Sequence, residues 1–302
     1  MISVIVCTYN REKLLVSCID SLVNQNCHPG DYEIILINNC STDNSEQLCI
    51  KNIQQHSNLQ IRYFLETKQG LSNARNRGIR ESMGNIITFI DDDAFADRDY
   101  IYNIKKDFRT SGMVAGGGKI LPQWENKRPK WMSCFLLPLV SVLDMGDQII
   151  AFKGEKYPIG ANMFFRKSLF EKTGLFDPML GRSKKNMIGN EEKDLFLKIK
   201  KLGYKICYFP NITVHHYITK ERTKTSFIKK QAIGIGQSEK IRTRLNKKGK
   251  RSIIFNELIK WGGTIILSFY YLLLFDPQKA KMLILFRYWV NKGLLKNYTD
   301  NE

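Results

Sequence analysis

At 302 residues, with 43% apolar and 11% aromatic side chains, the chain can bury a sizeable core, which excludes disordered, collagenous and low-complexity classes. There is room for one large domain or for two of about 150 residues. The 47 Lys and Arg against 29 Asp and Glu leave a charge of +18, which calls for an anionic partner: a phosphorylated substrate, nucleic acid or an acidic membrane face.

The surplus is uneven. Residues 219–302 hold 18 basic and 6 acidic side chains, so charge alone marks two regions. Seven cysteines with no CxxC pair and no Cys/His finger spacing read as free thiols of a reducing compartment, the cytoplasm. The apolar run at 2–6 follows Met1 directly, is too short for a signal peptide and lacks a basic leader. It reads as a buried first strand.

Strand and helix patterns then alternate. A strand over 2–7 is followed by a helix over 12–25, with Leu14, Leu15, Cys18, Ile19 and Leu22 at helical spacing. A strand over 33–37, a helix over 45–56 that residues 41–43 can cap, a strand over 61–65, a helix over 71–83 and a strand over 86–90 complete the set. Such alternation predicts a mostly parallel sheet covered on both faces, with ligands beyond the carboxyl ends of its strands. Polar clusters stand at those ends: Thr8, Tyr9 and Asn10; Asn38 and Asn39; Asp91, Asp92 and Asp93.

Beyond Asp93 the pattern loosens. Three glycines at 116–118, then Pro122, Trp124, Pro129 and Trp131, predict a long loop with exposed aromatics. Strands are expected over 157–166, 205–209 and 212–216, with a helix over 191–202 between them. Residues 219–251 read as basic and helical. The fifteen residues 261–275 carry no charge but fall short of the roughly 20 that a membrane-spanning helix needs.

Three adjacent carboxylates repel one another, so a buried strand ending in Asp91, Asp92 and Asp93 predicts a cation there, Mg2+ or Mn2+ with a diphosphate. A solvated turn or a helix cap is the alternative. Glu191 and Glu192, with Asp194, open a helix, where the backbone dipole favours acids; the functional alternative is a general base. His215 and His216 lie on a strand with rings on opposite faces, so one of them can join the carboxylates as a ligand.

Six motifs now stand in a fixed order: MISVIVCTYN at 1–10, INNCSTD at 37–43, GLSNARNRG at 70–78, FIDDD at 89–93, GANM at 160–163 and GNEEKDL at 189–195. Together they resemble the family 2 glycosyltransferases, in particular bacterial members that build cell-surface polysaccharide. The likeness spans about residues 2–222. It implies the GT-A fold, a Rossmann-like mixed, mostly parallel α/β sheet flanked by helices. The expected organisation is a catalytic domain over 1–222, with a nucleotide-sugar part to about 118 and an acceptor part after it, then a basic helical region over 223–302.

The resemblance implies roles as well. Thr8, Tyr9 and Asn10 fall near the nucleotide base, and Asn38 stands where many relatives have an aspartate against uracil, which leaves UDP- and GDP-sugars both open. Arg75 falls near the nucleotide or Asp91; Asp91 and Asp93 match the outer positions of the DxD motif, with Asp93 as metal ligand and Asp91 and Asp92 at ribose and sugar. Glu192 aligns with the base of inverting members, with Glu191 as fallback. His216 resembles the late histidine that completes the metal shell, Arg222 a diphosphate contact, and Asn162 of the GANM motif an acceptor-site residue. The implied reaction is a metal-dependent, inverting transfer to a hydroxyl of a glycan or lipid-linked acceptor.

Trp124 and Trp131 flank a basic stretch and offer either a sugar-stacking lip of the acceptor site or ordinary packing. The tail has the composition of an interfacial region that meets an anionic membrane on its inner face, or of a plain helical domain. A nucleotidyltransferase would announce a Gly-rich loop after the first strand, where this chain has no glycine. Nucleic-acid binding would rest on the basic run 247–251 alone, without interleaved aromatics, and is not expected.

Overall fold

The apolar runs of the first half become strands because both of their faces are buried. In the computed structural model, which describes residues 1–181, 189–245 and 250–295, Val4 and Val6 of the first strand join one core cluster with Ile34 and Leu36, while Ile5 joins another with Ile35 and Ile37. That period of two puts alternate side chains on opposite faces of one sheet. In chain order the elements are β1 (Ile2–Thr8), α1 (Glu12–Val23), β2 (Tyr32–Asn38), α2 (Ser45–Gln55), β3 (Gln60–Leu65), α3 (Leu71–Glu81), β4 (Ile86–Asp91), β5 (Ala94–Ala96) and α4 (Tyr100–Asn103). There follow β6 (Ala115–Trp124), β7 (Ile150–Ala151), β8 (Met163–Arg166), α5 (Leu169–Thr173), α6 (Glu191–Lys201), β9 (Ile206–Ile218), α7 (Thr225–Leu245), α8 (Lys250–Leu273) and α9 (Pro277–Leu295).

The chain forms two compact units. The first comprises Met1–Gln123, Ser141–Gly181 and Glu191–Tyr217. The described remainder, Trp124–Val140, Gly189, Asn190 and the chain from Ile218 onward, forms the second.

In the first unit the sheet order is β3-β2-β1-β4-β8-β6-β9-β5, with β7 on β9. The pairs β2–β3, β1–β2 and β1–β4 are parallel, and β4–β8, β6–β8, β5–β9 and β7–β9 antiparallel. This is the mixed α/β sheet flanked by helices that the motifs imply. Leu15, Cys18, Ile19 and Leu22 of α1 enter one cluster, Ala74 and Ile79 of α3 with Leu195, Phe196 and Ile199 of α6 the other. Each large side chain so buried contributes about 1.5–3 kcal/mol. Register fixes the strand tips: Thr8 pairs with Asn38, and Cys7 with Asp91, so the polar ends of β1, β2 and β4 stand level.

Several expectations are corrected. The glycines at 116–118 lie in β6, not in a loop: a Cβ on Gly118 would stand 1.9 Å from the Ile212 carbonyl oxygen, and one on Gly116 2.6 Å from the Phe164 ring. Glycine is there because neighbours crowd the backbone. Of the strand expected over 157–166, only Met163–Arg166 is extended, after a 3-10 turn at Gly160–Asn162. The two strands expected over 205–209 and 212–216 are one, β9, continuous through Pro210. β5, α4 and the π-helical turn Ile104–Phe108 fall where no regular pattern was read.

In the second unit α7 begins at Thr225, and the basic residues Lys247 and Lys248 lie outside the described residues. Gly236 and Gly293 let α7 and α9 meet backbone to backbone: a Cβ on Gly236 would be 2.0 Å from the Val290 oxygen, one on Gly293 2.1 Å from that of Ile233. Among the described residues no helix is long and apolar enough to cross a membrane.

Candidate active site

The triplet Asp91, Asp92 and Asp93 makes the tight turn between β4 and β5. Antiparallel pairing of β5 with β9 sets Ala94 opposite His216, and the Tyr217 N–H donates to the Asp93 carbonyl at 2.8 Å. His216 is thereby turned inward, fully buried, with Nε2 3.1 Å from Asp93 Oδ1; His215 faces the other side and pairs with Asp97 at 2.9 Å. One ligand atom each from Asp91, Asp93 and His216 lie within 4.8 Å of one another. Two carboxylates and an imidazole form the donor set that suits Mn2+ or Mg2+ completed by phosphate oxygens, so these residues fit a divalent ion.

Two arginines stand among the acids. Arg11, at the start of α1, reaches Asp92 at 3.8 Å and Asp93 at 3.5 Å. Arg75 of α3 is buried beside the rings of Phe89 and Phe176, its guanidinium carbon 5.8 and 5.4 Å from their centroids. Its Nη1 donates to Glu191 at 3.0 Å and its Nη2 to Glu192 at 2.9 Å, and Asp91 lies 3.9 Å away. Burial works against the charge of Arg75, but Glu192, Glu191 and Asp91 outweigh it and hold the group protonated. The second Glu192 oxygen accepts the backbone N–H of Gly160 at 3.1 Å.

Burial and the neighbouring Asp93 push the Asp92 carboxyl up to about 7, against the pull of Arg11. Asp91 is raised by burial and Asp93, against Arg75 and His216. The Cys7 thiol, paired in register with Asp91, is pushed up to about 12 by burial and is no thiolate nucleophile at neutral pH.

The family model described as Glycosyl transferase family 2 matches residues 3–174, more than half of the chain. The chain belongs to this family. It is similar to a glucosyl-dolichyl phosphate glucuronosyltransferase of Haloferax volcanii, 23% identical over 249 residues that cover 80% of this chain and 76% of that one. A dolichyl N-acetyl-α-D-glucosaminyl phosphate 3-β-D-2,3-diacetamido-2,3-dideoxy-β-D-glucuronosyltransferase of Methanococcus voltae is 27% identical over 255 residues, 80% of this chain and 74% of that one. Among solved structures, mannosyltransferase PcManGT from Pyrobaculum calidifontis, in complex with GDP-Man and Mn2+, superposes with a TM-score of 0.68 at 19% identity, covering 100% of this chain and 88% of that one, which shows a common fold.

In this family 2 glycosyltransferase the first unit brings together Arg75, Asp91, Asp92, Asp93, Glu191, Glu192 and His216 through the contacts above, with Thr8 at the level tip of the adjacent β1. Tyr9 is half-buried at the tip of β1. Asn10, at a φ of 53°, uses its side-chain oxygen to accept from the Thr42 N–H at 2.7 Å, tying the loops after β1 and β2 together. Asn38 donates to the Tyr63 hydroxyl and accepts from the Ser41 N–H at 2.9 Å. Asn162 is wholly buried: it donates to the carbonyls of Lys119 and Ile212 and accepts from the Tyr100 hydroxyl. Those bonds make it a brace of the sheet, with no atom turned outward to an acceptor. Trp124, Trp131 and Arg222, all half-buried, belong to the second unit.

Arg11 and Gly160 were not singled out from the sequence. A cation directly after the polar cluster 8–10, on a strand parallel to the one that ends in three acids, was the signal for Arg11.

Proposed function

We propose that the chain transfers a sugar from a UDP- or GDP-sugar to a hydroxyl of a glycan or lipid-linked acceptor, with inversion at the anomeric carbon. The observation that carries this reading is the convergence of Asp91, Asp93 and His216 at the level strand tips, with Glu192 oriented on Arg75 beside them. The dolichol-linked chemistry in the names of the two archaeal relatives and the GDP-Man and Mn2+ of the structural neighbour support the substrate class.

Asp91, Asp93 and His216 would hold Mn2+ or Mg2+, whose chemistry when bound is to neutralise charge on a departing diphosphate. In this reading Thr8, Tyr9 and Asn38 would contact the nucleoside, and Asp92 and Arg11 the sugar phosphate. Glu192 is the base. It is half-buried where Glu191 is buried, so an acceptor can reach it, and each of its oxygens keeps a lone pair beyond the bond to Arg75 or Gly160. As the acceptor oxygen bonds to the anomeric carbon, its proton passes to Glu192 and the carbon–oxygen bond to the diphosphate breaks.

Glu192→Gln tests the assignment. Donor binding measured by calorimetry should survive, while transfer should fall by about 10²–10⁴-fold, the usual worth of a general base. Full turnover by the variant would remove Glu192 from the reaction, and a product of retained configuration by NMR would exclude direct displacement.

A further inference from the structure

α8 is inside out. Among its described residues the buried side chains are Tyr271 and three polar ones: Glu257 pairs with Arg287 of α9 at 3.6 Å, Thr264 accepts from Arg287 Nε at 3.5 Å, and Ser268 donates to the Ala280 carbonyl at 3.4 Å. Its exposed side chains, among the described residues and apart from Asn256, are mostly apolar. Phe255, Leu258, Ile259, Ile265, Ile266 and Phe269 are spaced by three, four or seven residues and so form one stripe, which continues to Phe275. Ile266 is 70% and Phe275 93% exposed. A soluble helix packed on its neighbours shows the reverse arrangement, and an uncovered apolar stripe of this length marks a binding face.

Charge selects the occupant. The stretch 219–302 carries 18 basic against 6 acidic residues, with Lys229 and Lys230 on α7 and Lys281 and Lys292 on α9 exposed. A second copy would bring the same positive surplus against it, whereas anionic lipid headgroups attract it. The stripe also offers almost no hydrogen-bonding group besides the Tyr270 hydroxyl. A protein partner's interface is threaded with hydrogen bonds, and an acyl layer asks for none. Tyr270 and Tyr288, half-exposed, suit the headgroup level.

We propose that α8 lies in the plane of an anionic bilayer surface, its apolar stripe in the acyl boundary and the exposed lysines of α7 and α9 among the headgroups. This docking stands whether or not the transferase reading holds.

Flotation of the full chain with vesicles tests it. Vesicles of phosphatidylcholine containing roughly one-third phosphatidylglycerol should carry the protein, and pure phosphatidylcholine should carry at least about tenfold less. Ile266→Glu with Phe269→Glu, at exposed positions and with folding checked by circular dichroism, should lower binding to anionic vesicles by about tenfold or more. Lys281→Glu with Lys292→Glu leaves the stripe intact and should erase the preference for anionic lipid. Absence of flotation, or equal flotation of wild type and the Ile266/Phe269 variant, overturns the proposal. So does a vesicle-free dimer, seen by light scattering, that the same variant dissolves, because the stripe would then belong to self-association.

Discussion

Arg75 organises more of the acidic cluster than any other described side chain. Its planar fork spans Glu191 and Glu192 at hydrogen-bond distance while Phe89 and Phe176 flank it, which orients the guanidinium toward the carboxylates. Asp93 plays the corresponding part for the proposed cation site, because it touches both His216 and Arg11. An ion that binds the folded chain alone stabilises it by about 2.7 kcal/mol at a hundredfold excess over its dissociation constant, and so raises the melting temperature. Asp93→Asn should therefore abolish the upward shift that Mn2+ produces in wild type, together with transfer. An undiminished shift would remove Asp93 from the ligand set. At this scale the acids were legible, because a strand ending in three carboxylates is costly without a cation; strand alternation narrowed the ligand to one of His215 and His216, and the family resemblance chose His216. Arg11 was not, since a lone arginine after a strand is ordinary until the register of β1 against β4 places it beside Asp92 and Asp93.

Among the elements, glycines separate chemistry from architecture. A Cβ at Gly160 would stand 2.0 Å from Glu192 Oε1 and 2.2 Å from Arg75 Nη2. Both atoms are tips of flexible side chains, which can move without disturbing the sheet. Gly160→Ala should cost about 1 kcal/mol of stability or less, yet lower transfer by about 10²-fold or more, since displacing the proposed base, Glu192, by about 1 Å would forfeit that much. A Cβ at Gly118 meets the Ile212 carbonyl at 1.9 Å, backbone that is fixed in β9, so Gly118→Ala should lose about 2–3 kcal/mol. Urea midpoints and initial rates on the two variants check the contrast; equal stability losses would show that the Gly160 neighbours are as rigid as β9. The same glycines explain where the sequence misled. Three in a row signal a turn when read locally, but crowding by neighbours distant in sequence asks for the same residue, and only the fold tells the two apart. In the parallel half, β1, β2 and β4 were legible because strands buried on both faces stay mostly apolar.

At the scale of the whole molecule, charge marks off residues 219–302, and the structure divides into two compact units, the second of which takes in Trp124–Val140 in a way no local pattern records. Separate compact units should respond separately to damage. Gly293→Val places a branched side chain where even a Cβ would lie 2.1 Å from the Ile233 carbonyl oxygen, so α9 must part from α7. The expected loss is about 2–3 kcal/mol, confined to the second unit. By hydrogen exchange the amides of α7 and α9 should lose protection by roughly 30- to 150-fold, because each 1.4 kcal/mol of opening energy is a factor of about ten. Protection in β1 and the Mn2+-induced melting shift of the first unit should hold, because every ligand of the cation site lies in the sheet or its turn. Equal loss of protection in β1 and α9 would mean that the two units open as one cooperative body, and the α7–α9 packing would then support the acidic site as much as the tail.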